Sequence, residues 1–277
     1  MGDDSLIYRT DLALEKTEPQ KQLRREQDGC VVTRIEENGA RSVTIEVNSI
    51  SDHLDSDHGV LRLIVEELGG LLPKEGPVLV AGLGNRAITP DAIGPLTAEK
   101  VLATRHIQGE IARVSGLDGL RPVSVASPGV LGCTGIEAVE LLIALVDKVK
   151  PAAVIAVDAL AARSPARLGC TVQLSSGGIS PGSGVGNARP RIDTATLGIP
   201  VVGMGIPTVV DAATLAADLL GGADAEAMEK VEPRGAPMMV TPREIDLIIS
   251  RGARLLAMGI NLTLNPGLSL EEFEELT

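Results

Sequence analysis

Two aspartates each follow an apolar, β-like run, and carboxyl groups in that position can carry acid–base chemistry. Asp91 comes after Val78–Ala81 and the loop Gly82–Pro90, and Asp158 directly follows Ala153–Val157. In an open α/β sheet, ligands and reacting groups gather outside the carboxyl ends of the strands. Two carboxyl groups meeting there can divide the roles of acid and base, provided their surroundings push their pKa values apart. Each also has a plain structural role. Asp91, as the second residue of a helix capped by Thr89, would compensate the helix dipole. Asp158 would be a strand-end carboxylate bonded to a neighbouring loop, and a polar group following apolar residues needs such partners.

Two glycine-rich stretches compete for attention. Gly82-Leu83-Gly84-Asn85-Arg86-Ala87 fits the loose dinucleotide pattern G-x-G-x-x-[GA], so a nucleotide-binding oxidoreductase on a Rossmann-like sheet is the alternative function. Against it, Thr89-Pro90 places the helix start beyond the glycine loop, and no acidic residue closes a second strand at the expected distance. The second stretch, Gly177 to Asn187, runs into Arg189-Pro190-Arg191 rather than a helix. A phosphate cradle backed by a helix is therefore not expected, which leaves a substrate-facing loop or a surface connection. Cys133 and Cys170 have no evident His partner for nucleophilic catalysis. His53, His58 and His106 show no metal-ligand spacing, so neither a metal nor another cofactor is expected.

The elements that must position these groups follow from the pattern. Of the 277 residues 44% are hydrophobic, yet the chain has no Trp, one Tyr and one Phe, so the core must be built of Ala, Val, Ile and Leu. Strand-like runs at 78–81, 123–126, 153–157, 171–174 and 200–204 alternate with helical patterns at 90–103, 135–149 and 211–220. That alternation predicts an α/β fold, a mostly parallel sheet flanked by helices on both faces. Ahead of it, 30–35 and 42–47 read as a small amino-terminal hairpin turning at Asn38-Gly39, followed by a helix over 60–72. Residues 1–29 read as a polar arm, leaving 30–277 as a single domain. Residues 221–237 read as a loop, and Thr241 with Glu244 as the capping box of a last helix.

A net charge of −12 speaks against nucleic acid as a ligand, since phosphate contacts need clustered Lys and Arg. Three scattered cysteines fit a reducing compartment. With neither an apolar leader nor an apolar run of membrane-spanning length, no membrane association is expected and a cytoplasmic location is.

Taken in order, several segments resemble the germination (spore) protease family of endospore-forming bacteria. They include Arg9–Glu15, Gly82–Pro95, Ser127–Gly132, Asp158–Ser164, Pro181–Asn187, Gly205–Asp211 and Met239–Pro242. The resemblance implies an endopeptidase that degrades small acid-soluble spore proteins during germination, inside the spore core. It also implies a self-processing zymogen and a homotetramer, on a core similar to that of hydrogenase maturation proteases. Carried over, the paired acidic positions of those proteases are Asp91 and Asp158, which would form an aspartic-type site. Backbone N–H groups around Gly182, Gly184, Gly186 and Asn187 would then face the oxyanion. Asp11-Leu12-Ala13-Leu14-Glu15 resembles the family's substrate pattern, which implies self-cleavage between Asp11 and Leu12 and makes the start of the arm a propeptide. The 219–237 connection looks shorter than is usual in the family.

Overall fold

In a computed structural model, the strands are β1 Leu23–Gln27, β2 Cys30–Glu37, β3 Ala40–Glu46, β4 Val78–Gly82, β5 Val123–Ala126, β6 Ala153–Ala161, β7 Thr171–Ser175, β8 Val201–Asp211 and β9 Met239–Val240. The structure describes residues 8–52, 58–107, 109–114, 117, 119–186, 189–219, 238–269 and 272–273. The strands join in the order β1-β2-β3-β7-β8-β6-β4-β5, with β9 paired to β8. Parallel pairing is confined to β5-β4-β6-β8, and every other pair is antiparallel. The central parallel strands β4 and, up to Val157, β6 are unbroken apolar runs and fully buried, because helices cover both of their faces. Val80, Ile155, Val157 and Val202 pack into one cluster with Ile64 and Leu68 of the helix His58–Leu71 and Leu256 and Ile260 of the helix Ile245–Leu264. Leu79, Ala81, Val154 and Ala156 point the other way, onto Val139 and Leu142 of the helix Ala138–Val149. At about 1.5–3 kcal/mol per buried aliphatic side chain, these two layers supply most of the driving force for the fold.

The helix Ile245–Leu264 is long and apolar enough by composition to cross a membrane, contrary to the expectation that no segment is. Its apolar stripe is buried in the larger cluster, which makes it a core helix here. It does not start in the predicted way. Thr241 donates its hydroxyl to the Thr208 carbonyl at 2.9 Å instead of capping, and a turn over Pro242–Glu244 intervenes. The pattern at 90–103 likewise resolves into a 3₁₀ turn, Thr89–Asp91, and a shorter helix, Ile93–Ala98. The loop predicted at 221–237 lies outside the described residues.

At the amino end the sheet goes further than expected. Asn38 and Gly39 turn the predicted hairpin with φ of 52° and 77°, and Asp28 and Gly29 repeat the same pair of angles between β1 and β2. Both are two-residue turns of the kind that needs positive φ twice. The boundary drawn after residue 29 thus falls inside a three-stranded meander, and the segment before it docks on the body. Leu12 is fully buried against Leu160, Ala162, Leu168 and Val210.

Candidate active site

The chain passes from β4 to β5 on one side and returns through β6 on the other, so β4 and β6 flank a topological switch point. That is where a doubly wound sheet opens a crevice at its carboxyl edge. Pairing between the two strands ends at Gly82 and Val157, and both aspartates stand just past that point. Asp158 lies within β6, which runs on to Ala161 rather than ending at Val157 as expected. It is buried, and its Oδ1 accepts the N–H of Ala159 at 2.9 Å. Two-residue alternation puts its side chain on the face of Val154 and Ala156.

Asp91 ends the Thr89–Asp91 turn instead of occupying the second position of a Thr89-capped helix, since Ile88 holds the cap position and no side chain bonds there. Its Oδ2 accepts the N–H of Asn85 at 2.7 Å. This bond explains the first glycine loop. Gly84 has φ of 105°, and a Cβ there would stand 2.2 Å from the Asp91 carbonyl oxygen and 3.0 Å from its carboxylate. A Cβ on Gly82 would meet the Gly94 carbonyl at 2.3 Å. The glycines therefore let the loop close onto Asp91, and an N–H that a phosphate would need is already taken by a carboxylate.

The two acids differ electrostatically. Desolvation raises the Asp91 carboxyl above the usual range, partly offset by the Asn85 N–H. Asp158 is pushed well above it, first by burial and then by the negative charges of Asp91 and Asp11, with the Ala159 N–H opposing. A buried carboxyl beside other carboxylates holds its proton, because removing it creates a poorly solvated like charge. Asp91 and Asp158 share a cavity of about 500 Å³ with Asp11, Ala159, Gly182 and Met239. Among the described residues, no group of three or more His, Cys, Asp or Glu side chains comes together in a way that could hold a metal ion. His53 lies outside the described residues and His106 is exposed.

The second glycine loop is positioned but not uniformly open. Gly182 borders the cavity, Gly184 is buried with its α-carbon against the Asp11 carboxylate and Ala161, and Gly186 lies beside the Arg9 guanidinium. The Gly186 N–H points back to the Ser183 carbonyl at 3.4 Å, and Asn187 lies outside the described residues.

Asp11 and Leu12 are brought to the same end of β6. The Asp11 N–H donates to the Ala161 carbonyl at 2.8 Å, and its carboxylate accepts from Ala161 N–H at 2.9 Å and Ser183 Oγ at 2.5 Å. Gln173 brackets Leu12, donating to the Asp11 carbonyl at 3.0 Å and accepting the Ala13 N–H at 2.8 Å. Glu15 accepts the N–H groups of Arg163 and Ser164 at 2.7 and 3.1 Å, Arg9 pairs with the buried Asp211 at 3.0 Å, and Tyr8 lies under the Arg163 guanidinium. Sequence reasoning missed Gln173 and Ser183. A Gln inside a strand and a Ser among glycines carry no signal of their own until the arm is seen to dock on them.

Fold and site together define an α/β protein with two carboxyl groups in a cleft at the switch point of its sheet. The chain belongs to the germination protease family: the family model described as "Germination protease" matches residues 15–221. It is 39% identical to a germination protease of Caldanaerobacter subterraneus subsp. tengcongensis over 98% of both chains. It is also 39% identical to one of Clostridium perfringens strain 13, over 96% of this chain and 98% of the relative. With one of Bacillus velezensis it shares 37% over 83% and 79%. The first of these alignments spans 319 positions against 277 residues here, so that relative carries insertions that this chain lacks. Among solved structures, a NiFe hydrogenase maturation protease, HycI from Thermococcus kodakarensis KOD1, matches with a TM-score of 0.39 and 16% identity, covering 70% of this chain and 98% of its own. The protein is a peptidase of the germination protease family.

Proposed function

We propose that the chain is an aspartic-type endopeptidase in which Asp91 and Asp158 act as a pair on one peptide bond. The observation that carries this reading is the unequal pair itself, two carboxyl groups in one cleft with the more buried one held further toward its neutral form by the other's charge. Asp91, ionised, takes a proton from a water that attacks the scissile carbonyl. Asp158, protonated, hydrogen-bonds the carbonyl oxygen and gives its single proton to the leaving nitrogen, and the proton that Asp91 took from water restores the pair. Within such a coupled pair the apparent pKa values belong to the site as a whole. The backbone around Gly182 is the part of the glycine loop that we assign to the developing oxyanion.

The substrates in this reading are small acid-soluble spore proteins, cut during germination in the cytoplasm of the spore core by a homotetramer. Family membership supports those assignments. The chain is also read as a zymogen that cuts its own Asp11–Leu12 bond, and the support is local: Asp11 borders the same cavity as the pair and raises the Asp158 carboxyl. Peptide hydrolysis by Asp91→Asn and Asp158→Asn tests the site, since both folded variants should lose activity together.

A further inference from the structure

We infer that the free edge of β6 above the end of β4 is a backbone-pairing edge for an extended peptide, so that substrate binds by adding a strand beside Asp158. β4 pairs with β6 only as far as Val157, and the last bond from the β4 segment to this edge runs from the Leu83 N–H to the Val157 carbonyl at 2.8 Å. β6 continues for four more residues and stays paired to β8 on its other side. In a parallel strand the backbone groups alternate between the two neighbours. Val154 and Ala162 send their N–H groups toward β8, so the odd-numbered residues address the β4 side. Beyond β4 those residues are Ala159 and Ala161, and both line the cavity that holds the aspartates.

What seats itself on this edge is already visible at its far end. The Asp11 N–H pairs with the Ala161 carbonyl, and the Asp11 carboxylate takes the Ala161 N–H that a partner strand's carbonyl would take. The arm then turns away, its Arg9 N–H going to Thr214 Oγ1. The Ala159 N–H is turned onto the Asp158 carboxylate. The Ala159 carbonyl, aimed at the same edge, is left without a partner strand among the described residues, so an incoming backbone pairs there first through a donor. An extended peptide is the ligand that such an edge selects, because only a backbone offers donors and acceptors at the strand repeat. A strand paired at Ala159 runs directly past the Asp158 carboxyl. The small side chains of Ala159 and Ala161 leave its path open. The peptidase reading supplies the occupant, and this inference supplies how it is held.

A fluorescently labelled peptide with the sequence of residues 8–17, binding to the full chain, separates the two. Its backbone amides are N-methylated one at a time, with binding read by anisotropy and hydrolysis by mass. Strand pairing predicts that methylation at one residue weakens binding about tenfold, the equivalent of about 1.4 kcal/mol, while methylation of either neighbour is tolerated. Uniform tolerance, uniform loss, or no binding of the parent peptide overturns the edge. Alternating sensitivity without hydrolysis keeps the edge and removes the peptidase chemistry. Hydrolysis without alternation does the reverse.

Discussion

Gln173 holds Leu12 by the backbone on either side of it, donating to the Asp11 carbonyl and accepting the Ala13 N–H. The Asp11–Leu12 bond assigned to self-cleavage is thus docked with its following side chain fully buried, and a docked bond must loosen before it can be cut. Gln173→Ala removes two hydrogen bonds, each with a net worth of about 0.5–1.5 kcal/mol. We expect trimming to a new Leu12 terminus to run about tenfold faster in this variant, followed by intact mass. Slower trimming would instead make Gln173 a group that polarises the carbonyl under attack.

Acid should also favour trimming. Asp158 is repelled by both Asp91 and Asp11, and lowering the pH protonates it and removes that repulsion. The trimming rate of the wild-type chain should therefore rise as the pH falls from neutral to mildly acidic values. Trimming that is unaffected by pH, or that proceeds equally in Asp158→Asn, points to another protease acting on the arm.

The raised Asp158 carboxyl has a stability consequence with a fixed sign. A carboxyl with a higher pKa in the folded than in the unfolded chain binds more protons when folded, so its contribution is fully present below the unfolded value of about 4 and falls as the pH rises toward the folded value. At neutral pH, Asp158→Asn should be more stable than wild type, by about 2–4 °C in Tm for each kcal/mol gained. The difference should vanish near pH 3. A variant less stable than wild type at pH 7 would contradict the burial argument.

Cys133 is exposed, and its sulfur lies 3.8 Å from the Asn85 side-chain amide, whose backbone N–H holds Asp91. A bulky thiol reagent should slow peptide hydrolysis through this position, and Cys133→Ser should be resistant while retaining activity. Equal inhibition of both proteins would move the effect to Cys30 or Cys170.

Much of this architecture was legible because short apolar runs bounded by turns announce strands. Val123–Ala126 has the predicted limits, and β4 and the antiparallel β7 each differ from theirs by one residue. The two aspartates were legible because a charge after such a run must sit at a strand's exit. Asp158 falls short of that rule: β6 runs past it, since its partner β8 also continues, and strand length depends on the partner. β1 was not legible because it is an exposed edge whose Arg24, Arg25 and Glu26 read as a charged arm. Charged residues are how edge strands avoid pairing with other chains. The Asp28-Gly29 turn was the available signal, identical in kind to the Asn38-Gly39 turn that was used. Thr89 and Thr241 satisfied local capping rules, yet tertiary contacts decided otherwise: the Thr241 hydroxyl goes to the Thr208 carbonyl, and Thr208 donates its own to Pro90.

The most direct test of the paired site is single-turnover hydrolysis of a peptide spanning residues 8–17 by wild type, Asp91→Asn and Asp158→Asn, each checked for an unchanged circular dichroism spectrum. Groups that act as one unit are lost together, so each substitution should lower the rate by about 10³-fold or more and the double variant little further. Near-wild-type hydrolysis in either folded single variant would contradict the account.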